Sequence, residues 1–586
     1  MKADTVIYGN IITLETDYSR AEALAVKDGV IVFVGDREDA EEYIDDKTRV
    51  MYYGDSYVYP GFIEGHCHPV GAGMAMLNHN AGGCHSTEEL VELIRKYVCG
   101  NPDYGQYRIG MWHAAECPVD RRMLDEICPD KLLVVLSDCG HIVCSNTAGL
   151  NFLKVDSSWI DKYGTDMVRV DENGEMTGVF NDAAKNDLCS AYPTTVPEFE
   201  KAILDWQAFA FSKGVTASAE ACVNIMGDGA VEAYHNLAAD GRLKMPTFAM
   251  YETRDDGRDM VEDAGRIAKI RDKYATGNFM LDTVKIFIDG VTEGHTAWML
   301  KDYDDQPGYR GLQRVTHSDA LAAMTARANE LGMNVHCHTI GDAAVKCVCD
   351  AFEGIDRDVL RSQRNAMAHL EFVRPEDIKR IGDMGITAVV APMWVSKEEA
   401  ALMVIEAQYV GADMVENAYP VRSFIDAGAN VTFHTDFPVS PQFDMPENIY
   451  SALVRNSSGA APEMARRPEE AVSRYEALCA MTKNAAYQFK AEDRLGTLEV
   501  GKAANMVVYD RDFMNCRLEK IPSATLMATV INGEEVYESS MERMRSDYSI
   551  ELAKIWQFQL QQFGLLETHP ELSRIIRSNP ERGERE

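Results

Sequence analysis

A TIM-type (β/α)8 barrel with a small composite β-sandwich drawn from both chain ends is the fold class that this sequence predicts, and three observations predict it. Helix and strand signals alternate through the long middle of the 586-residue chain, the pattern of a parallel sheet built from βα units, which is a barrel and not an open sheet only by inference. Short β-type segments punctuated by Gly and Asp occur near both ends, such as Val6-Ile7-Tyr8 and Met506-Val507-Val508-Tyr509, so the two ends can pair into one domain. Histidines and an aspartate recur where the central strands end, and barrels collect their reactive residues there.

The chain is too long for one ordinary core, so a barrel-sized domain with a smaller companion is expected. The predicted composite β domain covers residues 1–58 and 487–545, and the barrel covers 59–486. One βα unit opens on the capping-box pattern Thr195-Val196-Pro197-Glu198, carries the apolar stripe Phe199, Ile203, Trp206 and Ala210, and stops at Gly214 before the strand 215–220. A second has Ser318 as N-cap, Leu321, Met324 and Ala328 on one face, Gly332 as stop, and then the strand 333–338. A third runs from Pro420 through Phe424 to Gly428 and delivers Val431-Thr432-Phe433-His434, with Asp436 just beyond. Residues from about 70 to 190 are too many for a plain βα loop and read as an insertion over one barrel mouth, a candidate lid. The stretch 546–586 reads as a helical C-terminal extension, apolar enough to pack on the body or to join a second copy in a homo-oligomer.

Composition narrows the function classes. A net charge of −35 opposes nucleic acid or an anionic membrane as partner and leaves a small-molecule substrate. The 14 Cys lack a tandem Cys-x-x-Cys pattern and read as reduced thiols, which points to a cytoplasmic address. No secretory leader is visible, and no uncharged apolar run approaches the roughly 20 residues of a membrane span. Neither a Gly-x-x-x-x-Gly-Lys-Ser/Thr loop, a His-Glu-x-x-His helix nor a Gly-x-Ser-x-Gly elbow occurs.

The sharpest local signal is Pro60-Gly61-Phe62-Ile63-Glu64-Gly65-His66-Cys67-His68. In a strand, residues two apart face the same way, so His66 and His68 can reach one metal while Cys67 points away. On spacing alone a pair of structural histidines fits as well. Recurrence favours the metal: His336-Cys337-His338 ends one strand, His369 ends another, and Asp436 follows the last. Imidazole and carboxylate suit Zn²⁺, with Mn²⁺ or Fe²⁺ as alternatives. Lys285 stands alone in the apolar strand Thr283-Val284-Lys285-Ile286-Phe287-Ile288-Asp289. A buried ammonium needs a partner, a depressed pKa or modification: a salt bridge to Asp289 or to another strand's carboxylate, or a carbamate formed with carbon dioxide.

These motifs, together with His338-Thr339-Ile340-Gly341-Asp342, Thr435-Asp436-Phe437-Pro438-Val439 and Gly496-Thr497-Leu498-Glu499-Val500-Gly501-Lys502, resemble the amidohydrolase superfamily. More narrowly the chain is similar to its YtcJ-like, N-substituted formamide deformylase-like branch (amidohydrolase family 3), over nearly its whole length. The resemblance implies a metal-dependent hydrolase of amide-type carbon–nitrogen bonds holding one or two divalent ions. It implies that His66 and His68 bind one metal, that a carboxylated Lys285 bridges, that His338 and His369 bind a second, and that Asp436 is both ligand and proton shuttle. His338 is preferred to His336, which faces the same side one step deeper and stands behind the ligands.

The sequence departs from the family's pattern at Glu64, Ala368, Glu371 and His434, and at His295 after the Lys285 strand. Those changes leave the ligands but alter what orients them, and substrate choice can change with them. Candidate substrate contacts are His113, His141, Trp298, His295 and Trp394, the two tryptophans as walls of an apolar acyl or aryl pocket. A ring deaminase is one rival, though such relatives carry a Glu shortly after the barrel histidine, where this chain has Thr339 to Asp342. A catalytically silent binding protein on the same scaffold is the other.

Overall fold

The computed structural model describes residues 1–77, 79–102, 104–137, 142–191, 194–253, 259–315, 318–395, 401–440 and 442–539. The predicted C-terminal extension and His141 lie outside the described residues. Two compact units can be distinguished, one made of Met1–Val70 with the chain from Ile203, the other containing Gly71–Ala202.

The first unit holds the barrel expected from the sequence. Eight parallel strands follow one another in chain order: Phe62–Glu64, Val215–Glu220, Thr247–Glu252, Phe279–Phe287, Asn334–Thr339, Ala366–His369, Thr387–Val390 and Asn430–Phe433. Helices such as Gly229–Ala239, Met260–Tyr274, Ser318–Glu330, Asp342–Glu353 and Pro375–Met384 return the chain between them. Several strands are buried along their whole length, as a sheet covered on both faces requires.

The predicted helix boundaries have visible causes. Before the helix Val196–Phe211, the Thr195 hydroxyl accepts from the Glu198 N–H at 3.4 Å, and a Glu198 carboxylate oxygen accepts from the Thr195 N–H at 2.8 Å. Gly214 and Gly332 end their helices at φ +80° and +78°, a left-handed conformation that a Cβ disfavours.

Between the first and eighth strands the barrel is joined by loop contacts. The Gly65 N–H donates to the Phe433 carbonyl at 3.1 Å, the Asp436 N–H to the His66 carbonyl at 3.1 Å, and the His68 N–H to the Phe437 carbonyl at 2.7 Å. A Cβ on Gly65 would lie 2.7 Å from the Phe433 oxygen, so this approach needs glycine.

The same unit contains a seven-stranded mixed sheet assembled from both chain ends. Its order is Glu534–Glu538, Leu526–Ile531, Met506–Tyr509, Arg49–Pro60, Thr5–Ile12, Arg20–Lys27 and Val30–Gly35. Ile7, Leu24, Val58, Met506, Val508 and Val530 pack into one apolar cluster, so strands far apart in sequence share a core. The unit containing Gly71–Ala202 has its own six-stranded sheet and two apolar clusters. Among the described residues no helix is long and apolar enough to cross a membrane.

Candidate metal centre

Strand register sets the depth of each side chain. Lys285 pairs with His336, Phe287 with His338, and Thr339 with His369, so the basic residues of three neighbouring strands stand at adjacent levels near the strands' C-terminal ends. Beyond the last residue of the eighth strand the chain turns through His434 to Asp436, which has φ +56°. His369 has φ +76°. Non-glycine residues rarely hold this conformation, and it recurs where a site requires a particular side-chain direction.

His66 and His68 do not share a strand face as the spacing predicts: the first strand ends at Glu64 and both histidines lie in the irregular segment beyond it. Their rings nonetheless converge: His66 Nε2 is 3.3 Å and His68 Nε2 3.2 Å from the same Asp436 Oδ1. Glu64 makes this possible, since its Oε1 accepts from the backbone N–H groups of His66, at 3.2 Å, and Thr435, at 3.0 Å. The carboxyl thus clips the first histidine loop to the aspartate loop. Burial raises its pKa to about 8, with those two N–H groups pulling the other way.

Ligand atoms of His66, His369 and Asp436 all lie within 4.8 Å of one another. Lys285 Nζ is 3.5 Å from His66 Nε2, and the rings of His338 and His369 are 4.5 Å apart. The predicted ligand residues therefore meet in one neighbourhood. Desolvation, with Lys285 and neighbouring imidazoles adding to it, holds His66 and His336 well below the ordinary imidazole pKa, and burial with His338 and His434 does the same for His369. These rings are neutral at pH 7 and keep a lone pair each, the form that binds metal. Buried polar atoms without a hydrogen-bond partner gather here: His68 Nδ1, His369 Nδ1, both nitrogens of His434, and Asp436 Oδ1. Nitrogen plus carboxylate oxygen is a donor set that fits a first-row divalent ion.

Lys285 has no exposed surface. Burial lowers its pKa to about 8 against the pull of Asp436, Cys222, Cys337 and Glu252. Asp289 is not its partner, which corrects one reading of the sequence. Asp289 Oδ1 instead takes the His338 Nδ1 at 3.1 Å, and Oδ2 accepts the N–H groups of Gly341, at 2.8 Å, and Trp298, at 3.0 Å. A carboxylate on Nδ1 sets the ring so that Nε2 offers its lone pair. His336 Nε2 lies 2.8 Å from His66 Nδ1, so it backs that ring from behind.

Other candidates have varied surroundings. Trp394 stacks on His369, with centroids 5.6 Å apart and planes 10° apart, and stands edge-on to His434 at 5.5 Å. His295 Nε2 lies 2.8 Å from Asp305 and its ring packs 3.9 Å from Tyr409. Trp298 is half-buried, and its backbone N–H serves Asp289. His113 belongs to the other unit, where its Nε2 lies 3.0 Å from the Gly82 carbonyl oxygen.

The sequence pattern assigned no role to His434, Glu220 or the Glu64 clip, and of the partners it offered Lys285, Asp289 is the one the structure removes. Position held a signal for two of them. His434 stands two residues before Asp436, and Glu220 ends the second strand, where barrel chemistry collects. Glu220 is buried, its Oε2 accepting from the Val70 N–H at 2.8 Å and the Tyr234 hydroxyl at 3.2 Å, and burial raises its pKa to about 7.

A profile described as the amidohydrolase family matches residues 54–537. The putative amidohydrolase YtcJ of Bacillus subtilis (strain 168) is 26% identical over 541 residues, covering 91% of this chain and 99% of that protein. N-substituted formamide deformylase of Arthrobacter pascens is 25% identical over 562 residues, covering 91% and 98%. A crystal structure of an uncharacterized metal-dependent hydrolase from Pyrococcus furiosus superposes with TM-score 0.68 at 24% identity, covering 87% of this chain and 100% of that one.

Proposed function

The chain belongs to the amidohydrolase family, hydrolases of carbon–nitrogen bonds, and from that premise we propose that it cleaves an amide-type bond in an N-acyl, N-formyl or cyclic amide. The observation that carries the reading is the cluster of His66, His369 and Asp436 within 4.8 Å. His66, His68, Lys285, His338, His369 and Asp436 would hold one or two divalent ions, zinc first among them. A divalent ion bound there supplies water activation and carbonyl polarisation at neutral pH.

The chain's own residues supply the rest. Neutral imidazoles donate lone pairs, and Asp289 keeps His338 in the tautomer that does so. An Asp436 carboxylate oxygen takes the proton of the attacking water and returns it to the departing nitrogen, so the amine leaves protonated. Lys285, buried and easily neutralised, is the residue suited to carbamate formation. Trp394, beside His369 and His434, walls an apolar acyl or aryl pocket. The Arthrobacter relative's name makes formamides the first substrates to try. The described cysteines are free thiols, in keeping with a cytoplasmic enzyme.

Elemental analysis of the purified protein, paired with turnover measured on formamides, N-acyl amino acids and cyclic amides, tests this reading. Bound metal with turnover of one amide class is expected. A metal-free protein inert toward all of them would favour a silent binding scaffold, and ring deamination as its best reaction would reassign the substrate.

A further inference from the structure

We propose that His434 is an additional ligand of the metal centre, an imidazole donor outside the set of His66, His68, Lys285, His338, His369 and Asp436. The inference rests on the metal-centre reading above. His434 has no exposed surface, and neither of its ring nitrogens has a hydrogen-bond partner. A neutral imidazole presents one N–H and one lone pair. Leaving both dry and unpaired is costly, so a group that no described residue supplies satisfies at least one.

Spacing agrees with a shared metal ion as that group. The His434 ring centroid is 5.3 Å from that of His66 and 5.1 Å from that of His369, and those two are 4.9 Å apart. With metal–nitrogen bonds of about 2.0–2.1 Å, two imidazoles on one tetrahedral ion have centroids roughly 5.2 Å apart. All three edges of the triangle lie close to that spacing. Among the described residues the tight group of ligand atoms is His66, His369 and Asp436; His434 stands outside that 4.8 Å group, two residues before Asp436, with its ring next to both of the group's histidines.

The segment cannot swing away easily. The His434 N–H donates to the Val390 carbonyl at 3.0 Å, the Thr435 N–H to Glu64 at 3.0 Å, and the Asp436 N–H to the His66 carbonyl at 3.1 Å. Trp394, edge-on at 81°, backs the ring. An added imidazole shifts the donor set toward cobalt and zinc and away from magnesium, which prefers oxygen.

Cobalt titration of the full-length, metal-free protein tests this, with visible absorption reporting coordination and a competing chelator giving the dissociation constant. His434→Phe removes the donor with a bulky ring and His434→Gly removes it with none, so the two separate a lost ligand from disturbed packing; circular dichroism confirms folding. Each is expected to weaken cobalt binding by about tenfold or more and to change the visible spectrum. If the wild type binds cobalt and either folded variant keeps its affinity and spectrum, His434 is no ligand. If the wild type binds no cobalt, the metal centre itself is refuted.

Discussion

Asp436 and Lys285 show how much of the site's behaviour rests on single groups. Asp436 Oδ1 lies 3.2 Å and 3.3 Å from two imidazole nitrogens, which puts the carboxylate where both a ligand and a proton carrier belong. Asp436→Asn keeps an oxygen donor but cannot accept the proton. Metal content measured by elemental analysis should therefore stay near the wild-type level while kcat falls by about 10²–10⁴-fold, the usual worth of general acid–base catalysis; unchanged turnover would refute the shuttle. Lys285 has its pKa lowered to about 8 from 10.5, chiefly by burial. The unfolded chain therefore binds more protons between those two values, and the stability of the metal-free protein should climb as pH rises through that window. The gain is on the order of 3 kcal/mol and should vanish in Lys285→Met, as urea unfolding at several pH values would reveal. Carbamate formation needs the neutral amine, so incorporation of ¹³C-labelled carbon dioxide, held at constant dissolved concentration, should increase as pH rises through about 8.

At the level of elements, the helices and strands follow from local patterns that tertiary contacts do not override. The Thr195 to Glu198 box starts its helix, and Gly214 stops the chain just before the strand Val215–Glu220. The first and eighth strands are different, since their junction depends on loops that no periodicity describes. Gly65 is the tightest point: a Cβ there would meet the Phe433 carbonyl at 2.7 Å. Gly65→Ala should lower stability by about 1–3 kcal/mol, the cost of a forced backbone shift, seen as a reduced denaturation midpoint. Activity should fall with it, because the same loop carries His66 and His68. A variant as stable and active as the wild type would mean that the junction tolerates a wider gap.

Across the whole molecule, the site is a meeting of distant stretches of chain, with His66, Lys285, His369 and Asp436 contributed by four barrel positions. A group that binds the folded protein alone stabilises it, by about 2.7 kcal/mol when the free ion exceeds its dissociation constant a hundredfold. Adding zinc to metal-free protein should raise the thermal midpoint, and chelation should reverse the rise; a midpoint indifferent to zinc would argue against the centre. The sequence by itself determined the alternation of strands and helices, hence a parallel βα sheet, and the residues that gather at its strand ends, because periodicity, caps and strand polarity are local properties. It also carried the motifs that mark the amidohydrolase family. Only the tertiary structure decided that His66 and His68 converge from a loop and not a strand, that Asp289 serves His338 and not Lys285, and that His434 stands unpartnered among the imidazoles. Each of these depends on which buried groups come within a few ångströms of one another across the barrel, and spacing along the chain does not encode that distance.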